Sequence, residues 1–263
     1  MADLTILLAT YNRIKVLKEA LRSILDQDYE DYRVLIVDDG SSKSTLNFIR
    51  DFVSKHRDKF SLIEQKHKGP ASARALGVKE ATTDYIYILD SDDILHKGSL
   101  RKVMNAFRKD SSVDLLYGDI IEFQDNKFKM IHRYKSYLNN IEMQWKIFLS
   151  PRVPFKHSAV AFRKEAALIL GNYDENIERK IDIDLLLSFL ESNKIVKHLP
   201  EILLSFRMSP NSVSFDRLTG IKYWFRIIDK HESRIFFNLV FKIYRVLIEL
   251  IKYVLEYIRY TIS

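Results

Sequence analysis

The 263-residue sequence contains no cysteine. Disulfide staples, thiolate zinc sites and a cysteine nucleophile are therefore excluded, and the chain suits a reducing compartment. A long apolar run is also missing: nowhere do the roughly 20 uncharged apolar residues of a spanning helix follow one another. Met1-Ala2-Asp3-Leu4-Thr5-Ile6 lacks a basic n-region and offers only a short apolar stretch before Tyr11-Asn12-Arg13, unlike a secretory signal. These absences set the expectation of a protein made and kept in the cytoplasm. No internal repeat or low-complexity segment occurs. There is also no Gly-rich loop ending in Arg after the first apolar run, which a sugar-nucleotide-forming nucleotidyltransferase would carry.

What the chain does contain is the balance of a folded protein, 47% hydrophobic and 29% charged. Its net charge of +7 is unevenly placed. Residues 217–263 hold nine Lys or Arg against four acids, a net +5, so the preceding 216 residues share +2. A basic tail on a near-neutral body points to an anionic surface. Because acids are interleaved and no nucleic-acid motif appears, a lipid surface fits better than nucleic acid.

Short apolar runs suited to β-strands occur at Leu4–Ala9, Arg33–Val37, Phe60–Glu64 and Tyr85–Leu89. Between them, Val16, Leu17, Ala20, Leu21, Ile24 and Leu25 share a helix face, as do Leu46, Ile49, Phe52 and Val53. Strands alternating with helices predict an α/β fold with a mostly parallel sheet, buried on both faces. Farther on, strands are expected at Val113–Gly118, Lys127–Tyr134, Ser158–Phe162 and Leu203–Arg207, with helices near Ile141–Leu149 and Asp184–Glu191. Two helices close the chain. The last, Ile235–Ile262, places Asn238, Lys242, Arg245, Glu249, Lys252, Glu256 and Arg259 in one narrow polar stripe along a helix about 42 Å long. Nearly everything else on it is apolar. Such a helix suits the plane of an anionic leaflet, or a coiled-coil seam making a homodimer.

In an open parallel sheet, ligands bind beyond the carboxyl ends of the strands. The polar clusters fall there: Thr10-Tyr11-Asn12-Arg13, Asp38-Asp39-Gly40-Ser41-Ser42 and Asp90-Ser91-Asp92-Asp93. Carboxylates crowded at a strand end repel one another unless a cation neutralises them, and Mg²⁺ or Mn²⁺ completed by substrate phosphates would do so. An acidic turn capping the next helix is the plainer alternative. Paired Asp at a strand end also holds Mg²⁺ in phospho-receiver domains, but such a domain would end near residue 125.

The ordered set Thr10-Tyr11-Asn12-Arg13, Val37-Asp38-Asp39-Gly40-Ser41, Ser72-Ala73-Arg74-x-x-Gly77 and Leu89-Asp90-Ser91-Asp92-Asp93 resembles the family-2 glycosyltransferases, inverting enzymes of GT-A fold. Gly171-Asn172-Tyr173-Asp174-Glu175, Asp182-x-Asp184 and Phe206-Arg207-x-x-x-Asn211-Ser212-Val213-Ser214 are similar to that family's acceptor-half motifs. The likeness runs over residues 3–214. It implies a catalytic domain over 1–216, divided into a nucleotide-sugar half (1–110) and an acceptor half (111–216), with 217–263 as a basic amphipathic helical extension.

By this resemblance Thr10, Tyr11, Arg13, Asp39, Arg74 and Asp90 bind the nucleotide sugar. Tyr11 packs on the base, Asp39 accepts a hydrogen bond from it, Arg74 lies near the diphosphate and Asp90 near the ribose. Asp92 coordinates Mn²⁺ or Mg²⁺, and Asp182 is the catalytic base. His157 is placed near the acceptor, or in a structural role. The implied donor is a UDP-sugar and the acceptor a glycan or lipid-linked hydroxyl. Cell-surface polysaccharide synthesis at the inner face of the membrane fits both. The family often has Glu where Ile181 stands, Asn where Ala75 stands and His where Ser209 stands. A nucleotide-sugar-binding relative without turnover would carry the same motifs. Lys66-His67-Lys68 reads as a solvated basic turn, with contact to a phosphate as the alternative, and Asp184, close to a helix start, as its cap.

Overall fold

The computed structural model describes residues 3–124, 127–208 and 217–262, with 217–218 and 255–262 as backbone only. Asn211 to Ser214 and the departure at Ser209 lie outside the described residues.

The first half folds as its periodicity predicts. Strands β1 (Leu4–Thr10), β2 (Tyr32–Asp38), β3 (Phe60–Glu64) and β4 (Tyr85–Ile88) alternate with helices α1 (Ile14–Leu25), α2 (Lys43–Lys55) and α3 (Pro70–Glu80). The four strands lie parallel in the order β3-β2-β1-β4. Along β1, Leu4, Ile6 and Leu8 enter one core while Leu7 enters the other, and β2 divides Val34 and Ile36 from Leu35 and Val37 in the same way. This period of two, apolar on both faces, is the signature of a sheet covered on both sides.

The second half is mixed. After the two-residue β5 (Ile94–Leu95) and helix α4 (Ser99–Lys109) come β6 (Leu115–Gln124) and β7 (Lys127–His132). Helix α5 (Asn140–Leu149), the 3₁₀ turn His157–Ala159, β8 (Val160–Arg163), α6 (Lys164–Ile169), α7 (Ile181–Glu191) and β9 (Val196–Arg207) follow. Strand β8 joins the halves, antiparallel to both β4 and β6, while β9 runs parallel to β6 and antiparallel to β5. The sheet runs β3-β2-β1-β4-β8-β6-β9-β5, with β7 on β6.

Helices α8 (Arg217–His231) and α9 (Ile235–Ile262) pack against the second half and share its core through Tyr223, Trp224, Ile227, Ile228 and Phe241. The polar stripe of α9, from Asn238 to Lys252, faces the protein. Arg245 is buried and donates to the Ser150 carbonyl at 2.9 Å and to the Ile147 carbonyl, while Lys242 pairs with Asp229. From 235 to 254 every exposed side chain is apolar or is Tyr253. The helix thus reverses the usual arrangement of a surface helix, which hides its apolar face. Among the described residues no helix is long and apolar enough to cross a membrane.

Candidate active site

Strands β2, β1 and β4 are neighbours, and in their parallel register Thr10 lies opposite Asp38 and Leu7 opposite Ile88. The loops after them therefore open at one edge. They are laced together there: Asp39 N donates to the Thr10 carbonyl at 2.9 Å, Asn12 N to Ser41 Oγ at 2.9 Å, and Ser42 N to Asn12 Oδ1 at 2.8 Å. Asn12 takes a left-handed conformation (φ 54°), which Asn tolerates better than most residues. Thr10 is buried, and its Oγ1 has no hydrogen-bond partner among the described residues.

Asp39 is buried, and both of its oxygens are engaged. Oδ1 accepts from Gln65 Nε2 (2.6 Å) and Lys68 N (2.9 Å), while Oδ2 accepts from Gly69 N (2.9 Å) and lies 2.8 Å from His67 Nδ1. A carboxylate offers about four lone-pair positions, so this one is filled. Tyr11 is half exposed and stacked on the His67 ring, with centroids 4.1 Å apart and planes inclined by 19°. His67 was missed as a site residue. Its loop follows β3, whose Glu64 lies opposite Asp38, so a fourth strand end opens at the same edge.

Helix α3 places Arg74. It starts at Pro70, whose fixed φ suits the first helical turn, after Gly69 at φ 94°. Gly77 lets the helix settle on β1, since a Cβ there would come within 2.1 Å of Leu7 Cδ1. Arg74 NH2 then reaches Asp90 Oδ1 at 2.5 Å. Burial disfavours both charges, but each outweighs that for the other: Arg74 holds Asp90 below the ordinary carboxylate range, and Asp90 with Tyr173 and Asp182 raises Arg74.

Asp92 is raised by burial and by the charge of Asp90, against Arg13, which pairs with its Oδ2. Asp93 is wholly buried and pushed well above the ordinary range by burial, Asp90 and Asp92; Oδ1 accepts from Arg207 N at 2.9 Å, and Oδ2 has no hydrogen-bond partner among the described residues. Arg207, at the end of β9, also donates through Nε to the Asp92 carbonyl (2.9 Å) and pairs with Glu19 (2.7 Å). In the sequence it stands out only as part of the Phe206-Arg207 motif. Among the described residues no three His, Asp or Glu side chains form a metal cage. The donor set nevertheless fits a hard divalent ion: Asp92 is partly open, its counter-charge Arg13 is half exposed, and such ions are commonly held by one or two carboxylates plus substrate phosphates.

Residues of the second half border this cluster. Ser158, in the turn before β8, takes the Asp90 N–H on its Oγ at 2.9 Å. Beside it His157 Nε2 lies 2.7 Å from Tyr173 Oη. Burial, aided by Arg74, pushes His157 down to about 4 against Asp90 and Asp182, so the ring is neutral. Burial raises Tyr173, with Asp90 and Asp182 adding to it. Asp182 lies in the first turn of α7, after left-handed Lys180, where the helix dipole favours a carboxylate. Its charge acts on Arg74, His157, Tyr173 and Lys180. The fold thus brings Asp182 to the cluster formed by the strand ends.

Asp184 is directed elsewhere and caps nothing. Buried, it contacts His231 Nε2 at 2.8 Å and Lys230 Nζ at 2.9 Å, tying α7 to α8.

The model of the family described as "Glycosyl transferase family 2" matches residues 5–168. Chondroitin synthase of Escherichia coli is 26% identical over 235 residues, covering 88% of this chain and 33% of that protein. Poly-beta-1,6-N-acetyl-D-glucosamine synthase of Staphylococcus epidermidis is 30% identical over 116 residues, 44% of this chain and 28% of that one. An uncharacterized glycosyltransferase of Haemophilus influenzae is 28% identical over 133 residues, 50% of this chain and 53% of the relative. The chain thus spans about half the length of these relatives or less. Among solved structures, S. aureus TarS 1-349 in complex with UDP-GlcNAc superposes with a TM-score of 0.69 at 15% identity, over 86% of this chain and 65% of that one. The mannosyltransferase PcManGT from Pyrobaculum calidifontis, in complex with GDP-Man and Mn²⁺, gives 0.66 at 18% identity, over 86% and 63%. These likenesses show the GT-A fold.

Proposed function

Because the chain belongs to glycosyl transferase family 2, we propose that it moves a sugar from a UDP-sugar to a hydroxyl of a glycan or lipid-linked acceptor, inverting the anomeric carbon. One observation carries the reading: Asp39, Arg74, Asp90 and Asp92 gather at one sheet edge, with Asp182 close enough for its charge to act on Arg74. Tyr11 and Asp39 take the base and Asp90 the ribose. Thr10 and Arg13 flank the nucleotide, and Arg74 lies along the diphosphate.

The acceptor oxygen attacks the anomeric carbon as the bond from that carbon to the diphosphate oxygen breaks. The hydroxyl proton passes to the Asp182 carboxylate, and UDP leaves with the bonding pair. Arg74 and Arg13 offer positive charge where the leaving group's negative charge grows. Asp92 would hold a divalent ion, Mn²⁺ or Mg²⁺, which when bound supplies further positive charge to the diphosphate. Neutral His157, fixed by Tyr173, offers a hydrogen bond on the acceptor side. The outward apolar face of α9 and the net +5 of residues 217–263 support a place on the inner face of an anionic membrane, where lipid-linked acceptors and polysaccharide assembly are found. Residues 1–216 serve as the catalytic domain in this reading, and 217–263 dock it.

The test is a panel of sugar nucleotides given to the full chain with Mn²⁺ or with chelator, following UDP release and UDP binding by calorimetry. One UDP-sugar should be turned over, and metal should tighten UDP binding in the wild type but not in Asp92→Ala. No turnover or binding across the panel would end the transferase reading. Equal UDP affinity with and without metal would end the metal part alone.

A further inference from the structure

The region assigned above to the nucleobase is already filled by a side chain of this protein. The His67 ring lies face to face with Tyr11, and its Nδ1 stands 2.8 Å from Asp39 Oδ2 and 3.0 Å from the Asp39 carbonyl. A flat ring stacked on Tyr11, with a ring N–H aimed at Asp39, makes the two contacts that the proposed function assigns to the base. Both cannot be present together. The Tyr11 and His67 centroids are 4.1 Å apart, whereas a ring inserted between them would need about 7 Å, twice the van der Waals contact of about 3.5 Å.

The backbone of the His67 loop is fixed. Lys68 N and Gly69 N both donate to Asp39, and Gln65 N donates to the Asp38 carbonyl at 3.0 Å. The chain at His67 also presses on Gly40, where an added Cβ would come within 2.6 Å of His67 N. The imidazole is the loose part, with its side chain 54% exposed. Rotation about its χ1 would clear Tyr11 and release one acceptor position on Asp39 Oδ2. The donors Gln65 Nε2, Lys68 N and Gly69 N would stay in place.

We propose, resting on the assignment of Tyr11 and Asp39 to the base, that His67 is a displaceable occupant of the nucleobase subsite. A ligand must bring a ring that stacks on Tyr11 and an N–H for Asp39 before His67 yields. A pyrophosphate group alone supplies neither. His67 therefore lowers the affinity for every nucleotide by the strength of its own two contacts, and withholds the subsite from ligands that lack a base.

The test uses the full chain. Calorimetry with UDP should show His67→Ala binding about five- to tenfold more tightly than the wild type, the gain from removing one stacked ring and one partly exposed hydrogen bond. In parallel, His67 imidazole resonances, identified by their loss in His67→Ala, should leave the Tyr11 ring-current position when UDP is added and stay there when pyrophosphate is added. Unchanged or weaker UDP affinity in His67→Ala, or a His67 signal that UDP does not move, overturns the proposal. Tyr11→Ala in the His67→Ala background tests the parent reading separately. A loss of UDP affinity there keeps the base at Tyr11 whatever His67 does, and no loss removes both ideas together.

Discussion

Arg245 Cζ stands 3.6 Å from the centroid of the Trp224 ring, with both side chains buried. The guanidinium also takes the Ser150 and Ile147 carbonyls, groups that the end of α5 leaves without helical partners. Burial lowers its pKa to about 10 against the pull of Glu249, so it remains a cation at neutral pH. One side chain thus fastens α9 to α5 and α8. Arg245→Met keeps bulk but leaves two carbonyls unmet and removes a desolvated cation–π contact. A loss of about 3 kcal/mol is expected, read from the shift of the urea midpoint.

A second tie responds to pH. His231 Nε2 meets Asp184 Oδ1 at 2.8 Å and Nδ1 meets Glu191 Oε2 at 2.9 Å, with Lys230 on the other side of Asp184. Neutral imidazole has one N–H, so serving two carboxylates calls for the imidazolium. Burial works against that charge, but Asp184 and Glu191 outweigh it and raise the pKa. The folded value therefore lies above the unfolded value of about 6.5, so the stabilisation is full below about pH 6.5 and is lost as pH climbs through the folded value. Lys180, lowered to about 8 by burial, titrates with the opposite sense. The difference between wild type and His231→Asn isolates the histidine. That gap in Tm should be widest near about pH 6 and should narrow toward about pH 9; a constant gap would refute the imidazolium.

The parallel half was legible because its strands are apolar runs separated by helical patterns. Expected boundaries such as Phe60–Glu64 reappear unchanged. The two-residue β5 left no period to read, and β8 gains its place by pairing with strands distant in sequence. For Asp184, nearness to a helix start suggested a cap. The helix begins at Ile181, and Asp184 sits beyond the positions from which a side chain can cap it. The α9 pattern gave the stripe and its width but not its direction, which depends on the carbonyls and indole that Arg245 finds. His67 looked solvated because nothing local marks a ring that will stack on Tyr11.

Asp182 and Asp184 are expected to separate function from stability. Asp182→Asn keeps the side chain's shape but removes its proton acceptor and its charge, so Tm and UDP affinity should change little while transfer falls at least ~100-fold. Asp184→Asn weakens a buried ionic tie, and a loss of about 3 kcal/mol is expected, with a much smaller change in rate per folded molecule. Near-normal transfer by Asp182→Asn at saturating donor and acceptor would move the base elsewhere.

The outward face of α9 gives the last prediction. Phe236, Leu239, Ile243, Leu247, Leu250 and Val254 stand between 49% and 72% exposed, a larger apolar patch than a monomer ordinarily leaves open. A paired helix usually flanks its seam with charges that set register and partner. Here the exposed positions from 235 to 254 carry none, because Lys242, Arg245, Glu249 and Lys252 turn inward or lie half-buried. A fluid, unspecific apolar phase beneath anionic headgroups suits this face better than a second copy, and the basic excess of residues 217–263 adds attraction. In Ile243→Glu/Leu247→Glu the changed side chains point away from the core, so the melting temperature should hold. Flotation with phosphatidylglycerol vesicles should then fall at least tenfold, since each buried aliphatic side chain contributes about 1.5–3 kcal/mol. If the wild type fails to float and the double variant instead turns a dimer into a monomer, the face belongs to a second copy.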